Sequence, residues 1–131
     1  MNSPATILIV DDNQLNVMLA TDLLEYAGYA VLGAENVKEA QEILKHTKPA
    51  LMLLDIQLPD MDGLTFTQLL KADPALRDIK VVLLTAFAMK GDEEKAIAVG
   101  CDGYITKPID TRKFPGQVAE FIQRNPMPKT T

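Results

Sequence analysis

The chain is predicted to fold as one α/β domain: a five-stranded parallel sheet, doubly wound as (βα)5, with strand order 2-1-3-4-5. Three observations predict it. The runs Thr6–Val10, Ala50–Leu54 and Ile79–Leu84 are almost wholly apolar and too short for stable helices, which is how strands buried on both faces of a parallel sheet read. Segments of helical period lie between such runs, so strand and helix alternate. Each run also stops at a polar side chain: Asp11 and Asp12 after the first, Asp55 after the second, Thr85 after the third. In an open α/β sheet that carboxyl rim is where ligands bind.

Taken in order, the β-branched run Thr6–Val10 is the first strand. Residues 14–27 have helical period, with Leu19, Leu23 and Tyr26 expected beside Val17, Ala20, Leu24 and Ala27 on one broad apolar face, and Gly28 as the stop. Asn16 falls inside that face and is expected to fasten the neighbouring loops by hydrogen bonds. Residues 29–34 form a short second strand. Asn36 and Glu39 make a capping box for a helix whose inner face is Ala40, Ile43 and Leu44, ended by Lys48-Pro49. The central strand then runs to Asp55 and the turn Leu58-Pro59-Asp60-Met61-Asp62-Gly63.

A third helix over 63–72 turns Phe66, Leu69 and Leu70 inward and closes at Asp73-Pro74. The fourth strand leads through Thr85-Ala86 to a helix with Asp92, Glu93 and Glu94 in its first turn, where the dipole favours negative charge, and with Gly100 at its end. Gly103–Thr106 is the fifth strand and runs into Lys107-Pro108. The last helix presents Phe114, Val118, Phe121 and Ile122 at spacing i, i+4, i+7, i+8, with Pro115 early in it, where a missing amide costs little if it falls in the first turn. The domain is expected to span 1–131, with a core of about 6–124 and a frayed tail over 125–131.

At 131 residues and 47% hydrophobic, the chain suits one core, and no apolar run approaches the roughly 20 residues of a spanning helix. The start, Met1-Asn2-Ser3-Pro4, lacks a basic region and an apolar signal core, so nothing points to secretion. Cys101 is the single cysteine, which excludes an internal disulfide and fits a reducing, cytoplasmic location. Its neighbours Gly100 and Asp102 suggest a small residue packed beside a turn. With a net charge of −5 and no stripe of Lys and Arg, neither nucleic acid nor an anionic membrane is an expected partner. The lone His46 lies at the polar end of a helix, where its cation suits the dipole, and is not expected to be a metal ligand or a catalyst.

In the order 2-1-3-4-5 the first, third, fourth and fifth strands are neighbours, which gathers Asp11, Asp12, Asp55, Thr85 and Lys107 on one rim. Three carboxylates brought together raise one another's pKa unless a cation sits among them. Oxygen-only donors select a hard ion, Mg²⁺ or Mn²⁺ rather than zinc. Lys107 supplies a compensating point charge suited to a phosphoryl oxygen, and Thr85 a hydroxyl donor for a second oxygen. Together such groups clamp a phosphoryl group in transfer, with a carboxylate as nucleophile. Each piece alone is ordinary: an Asp pair in a turn, a Thr capping a strand, a Lys-Pro loop. Their joint occurrence at four strand ends is what carries the argument.

At these residues the sequence resembles the response-regulator receiver family of bacterial two-component signalling. The likeness spans residues 6–124 and includes Asp11-Asp12, Asp55 with Leu58-Pro59-Asp60-Met61-Asp62-Gly63, Thr85-Ala86 and Lys107-Pro108. The stretch Thr85–Glu94 looks in addition like single-domain, DivK-type cell-division receivers. The resemblance implies a flavodoxin-like fold and a phosphoacceptor role for Asp55, which would take its phosphoryl group from the phosphohistidine of a sensor histidine kinase or a histidine phosphotransfer protein. It implies Mg²⁺ held by Asp12, Asp55 and the Gln57 backbone carbonyl, with Asp11 near the ion or acting through water. Thr85 and Lys107 would contact the phosphoryl oxygens, Thr85 and Tyr104 would form a switch, and Pro108 would shape its loop, commonly through a cis bond. Gln57 and Phe87 occupy positions that influence hydrolysis rate in the family.

The expected function is therefore a phosphorylation-controlled binding module that assists its own modification and is not otherwise an enzyme. Its downstream protein partner would bind the face of the fourth helix, fifth strand and fifth helix, with the protein itself a monomer or weak dimer. A phosphorelay shuttle or phosphate sink is the alternative within signalling. From another class, a Mg²⁺-dependent phosphatase with an aspartyl phosphate intermediate would need an Asp-x-Asp motif after the first strand, where this chain has Asp11-Asp12-Asn13-Gln14.

Overall fold

The computed structural model describes residues 5–86 and 90–123. Strands β1 (Thr6–Val10), β2 (Ala30–Ala34), β3 (Leu51–Asp55), β4 (Lys80–Thr85) and β5 (Gly103–Thr106) alternate with helices α1 (Gln14–Tyr26), α2 (Val37–Leu44), α3 (Gly63–Ala72), α4 (Lys90–Ala98) and α5 (Phe114–Gln123). All neighbouring strands pair in parallel, in the order β2-β1-β3-β4-β5. This is the doubly wound, flavodoxin-like topology read from the sequence. Both flanks of β3 are occupied, by β1 with Ile9 beside Leu53 and by β4 with Asp55 beside Leu84. Every residue of β3 is buried, which is why it carries no alternation.

Side chains leave the strands alternately to two layers. Leu8, Val10, Met52, Leu54, Val81 and Leu83 pack with Ala40 of α2, Phe66 and Leu70 of α3 and Ala96 of α4. Ile7, Ile9, Leu51, Leu53, Val82, Leu84 and Ile105 pack on the opposite face with Ala20 and Leu24 of α1 and Phe114 and Val118 of α5. Pro115 is the second residue of α5, inside the first turn, where its missing amide costs little.

Local chemistry sets the helix ends. Asn13 caps α1, accepting from the N–H groups of Leu15 and Asn16, and Gly28 follows the helix at a φ of 101° that favours glycine. Asp62 caps α3 by accepting from the Leu64 N–H, and Asp110 Oδ1 accepts from Arg112 and Lys113 ahead of α5. Gly63 marks a close approach of backbone to backbone: a Cβ there would fall on the Asp55 carbonyl oxygen and within 2.8 Å of the Ile56 Cα. At the amino end of the sheet, Lys71 of α3 forms a clasp. Its Nζ donates to the Arg77 and Ile79 carbonyls and to Asp102 Oδ2, which also accepts from the Val81 N–H.

Four inward-facing helix assignments need correction. Leu19 and Tyr26 of α1 and Leu69 of α3, expected to face inward, are exposed, and so is Ala27, the C-cap of α1. Apolar residues surround α1 on all sides, while the sheet covers only the arc holding Val17, Ala20 and Leu24. Leu15, Leu19, Asp22 and Tyr26 recur along the opposite side. Phe87, the side chains of Asp92 and Glu93, and the tail over 125–131 lie outside the described residues. No helix among the described residues is long and apolar enough to cross a membrane.

Candidate functional site

The carboxyl rim of β1, β3, β4 and β5 brings four of the expected groups into one place. Asp55, the last residue of β3, is buried to 8% exposure, and Asp11, the residue after β1, is fully buried. The Lys107 ammonium, arriving from the loop after β5, donates to Asp55 Oδ2 at 2.9 Å and to Asp11 Oδ2 at 3.0 Å. Asp12 faces solvent beside them, and the oxygens of Asp11, Asp12 and Asp55 lie within 4.8 Å of one another. The second lone-pair direction of each buried carboxylate is also used. Gln57 N–H donates to Asp55 Oδ1 at 3.0 Å, and Asn13 N–H donates to Asp11 Oδ1 at 2.9 Å.

Backbone pairing explains how Lys107 reaches this point. Thr85 pairs in register with Thr106, and the Thr85 carbonyl accepts from the Lys107 N–H at 2.7 Å. The following Lys107-Pro108 peptide is cis, as the resemblance implied. Thr85 is buried at the end of β4, and its chain neighbour Leu84 accepts from the Ile56 N–H, so the loops after β3, β4 and β5 are tied together by main-chain bonds. Asn16 Nδ2 makes a long 3.5 Å contact to Asp11 Oδ2, the loop-fastening role expected of it. Tyr104 lies on β5 away from the cluster and is 36% exposed.

Electrostatics follow from this packing. Burial pushes the Asp55 carboxyl above its ordinary value, against the pull of the Lys107 hydrogen bond and the Gln57 N–H, and Asp11 adds like charge. Burial would lower Lys107, but its bonds to Asp55 and Asp11 outweigh it and hold the ammonium above its ordinary value. The asymmetry has a simple cause: Lys107 gains two countercharges, whereas Asp55 shares its one with Asp11. Cys101 is half-buried and burial pushes its thiol up, which agrees with a packed residue rather than an activated nucleophile.

Three carboxylates and one ammonium leave two negative charges at the rim, and the donors are all oxygens. A divalent hard cation therefore fits the site, with Asp11, Asp12 and Asp55 as the acidic group able to hold it. Sequence reasoning missed two contributors. Asn13 carries no role in the sequence reading beyond following Asp11-Asp12, yet its N–H orients Asp11. Asp60 was read only as a turn residue, yet its carboxylate reaches the first amides of α2.

The fold and this rim define a receiver, and the chain belongs to the response regulator receiver domain family, whose model matches residues 7–119. It is thus a signalling module of two-component systems. Among curated proteins it is 44% identical to the polar-differentiation response regulator DivK of Brucella anthropi over 119 residues, which cover 91% of this chain and 97% of that protein. The corresponding protein of Brucella ovis is 43% identical over 117 residues, covering 89% and 95%. The signal receiver domain of a signal transduction histidine kinase from Syntrophus aciditrophicus superposes with a TM-score of 0.82 at 31% identity, covering 96% of this chain and 98% of that one. A CheY-like receiver domain protein from Methanospirillum hungatei gives 0.82 at 30% identity, covering 92% and 94%.

Proposed function

We propose that the chain, one receiver domain throughout, accepts a phosphoryl group on Asp55 from the phosphohistidine of a sensor histidine kinase or a histidine phosphotransfer protein. The observation that carries this reading is the Lys107 ammonium held between Asp55 and Asp11 on the rim of the sheet. In the transfer, a carboxylate oxygen of Asp55 forms the new bond to phosphorus while the phosphorus–nitrogen bond breaks and its electron pair returns to the imidazole. Asp12, Asp55 and the Gln57 carbonyl would hold Mg²⁺, with Asp11 beside it; when bound, the ion supplies positive charge to the phosphoryl oxygens. Lys107 supplies a second positive charge, which can swing from the carboxylates to a phosphoryl oxygen, and Thr85 a hydroxyl donor. Phosphorylation adds charge and three acceptor oxygens at a rim already tied to β4 and β5, and output passes through α4, β5 and α5 with Tyr104 as the movable residue.

Acetyl phosphate with Mg²⁺ tests the assignment without a cognate kinase. Intact-mass and peptide analysis should find one added phosphoryl group, on Asp55, and Asp55→Asn should abolish it. Asp12→Ala, or EDTA, should reduce labelling at least about tenfold, the usual scale for loss of metal-assisted charge stabilisation. Label recovered on Asp60 or Asp62 of the unmodified sequence overturns the reading.

A further inference from the structure

Asp60 stands outside the cluster just described, in the loop joining β3 to α3. Its carboxylate accepts from the Val37 N–H at 3.0 Å through Oδ1 and from the Lys38 N–H at 3.1 Å through Oδ2. These are the first two amides of α2, which have no partner inside the helix. The third, of Glu39, is satisfied by Asn36 Oδ1 at 2.8 Å. A side chain 23 residues further along the chain thus completes the cap of α2, where the dipole favours a carboxylate.

The same helix end is tied in the other direction. Glu39 Oε1 accepts from the Glu35 N–H at 2.9 Å, and Glu35 Oε1 accepts from Gln14 Nε2, on the first residue of α1, at 2.8 Å. Asn13, which caps α1, gives its own N–H to Asp11. Hydrogen bonds therefore run from the loop carrying Asp55, across the start of α2, to the loop carrying Asp11 and Asp12.

Within the Asp55 loop the base is pinned by Gly63 N–H to the Ile56 carbonyl at 2.7 Å, and by Ile56 N–H to the Leu84 carbonyl. Between that base and Asp60 lies Gln57, whose N–H orients Asp55 Oδ1. Leu58 and Met61 give the loop an apolar footing, but such contacts are non-directional. The bidentate bond from Asp60 supplies direction. We propose that Asp60 is a positioning residue for the phosphoacceptor: by capping α2 it holds the Gln57 peptide against Asp55 and fixes the spacing of the two acidic loops.

This inference rests on the Asp55 assignment, so its test is designed to separate the two. Asn36→Ala removes a cap from the same helix end without touching the Asp55 loop, and serves as the control beside Asp60→Ala. Both variants should be less stable than the parent. Only Asp60→Ala should shift the Gln57 amide resonance in the metal-free protein, and only it should slow phosphorylation by acetyl phosphate, by roughly fivefold, the scale of a lost cap. Asp60→Asn, which keeps one acceptor oxygen, should fall between and serves if the alanine variant fails to fold. A Gln57 resonance unmoved in the Asp60 variants, or a rate reduced equally by Asn36→Ala, overturns the proposal. If the parent protein is not labelled on Asp55, the functional reading fails while the Gln57 resonance still judges the role of Asp60.

Discussion

Asp55 holds its proton to higher pH in the fold than in the unfolded chain, because burial outweighs its hydrogen bonds from Lys107 and Gln57. A raised carboxyl value stabilises the fold below the unfolded value of 3.8, and that contribution is lost as pH rises through the folded value. In the metal-free protein at neutral pH, ionised Asp55 therefore weakens the fold. Asp55→Asn is expected to melt higher, by roughly 3 °C for a typical single-residue effect of about 1 kcal/mol. The gap should close as pH falls toward about 4, and thermal unfolding in EDTA across pH measures it; a variant that melts lower would show that the Lys107 attraction dominates. Asp60 has the opposite sign. The Val37 and Lys38 amides hold its carboxyl below 3.8, so its contribution is present above that value and disappears as pH falls through the folded one. Asp55, Thr85 and Lys107 were legible because each follows an apolar strand. The capping role of Asp60 was not, since its partners lie on a helix that only the folded chain brings near.

Helix α1 shows what periodicity leaves open. Leu15, Leu19 and Leu24 are chemically alike, but Leu24 is fully buried while Leu15 and Leu19 are 76% and 40% exposed. Sequence spacing gives the relative angle of each side chain, and where apolar residues surround the helix it does not say which arc meets the sheet. The same ambiguity misplaced Leu69, one position from the buried Leu70 in α3. Strands were easier, because burial on both faces removes the question of side. Leu24→Ala should cost about 2–4 kcal/mol in urea unfolding, whereas Leu19→Ala should stay within about 0.5–1 kcal/mol. Equal losses would contradict the observed orientation of α1.

For the molecule as a whole, strand order turns separate residues into one rim. The topology was legible from the alternation of strand and helix, and it alone predicted that Asp11, Asp55 and Lys107, far apart in sequence, would meet. The reach of a signal beyond the rim is less direct, because Tyr104 is partly exposed and makes no part of the cluster. Beryllofluoride, a mimic of the phosphoryl group on Asp55, allows NMR to follow it. Large shifts are expected at Thr85, Tyr104 and α4, and Thr85→Ala should suppress those at Tyr104 while leaving binding within about threefold, the scale of one modest hydrogen bond. Shifts confined to the Asp55 loop would mean that output leaves by another face.

The Lys71 clasp at the opposite rim carries a consequence for covalent chemistry. Its three donors are engaged by two carbonyls and a carboxylate, just as the Lys107 donors reach Asp55 and Asp11. Acylating reagents need a nitrogen lone pair and room to approach it, which exposed amines such as Lys45 and Lys48 can offer. These two amines, on side chains only 21% and 18% exposed, are expected to react more slowly with such reagents while the sheet is closed, one at each end of its strands. Beside exposed amines such as Lys45 and Lys48, acylation of this pair would record that the fold had opened.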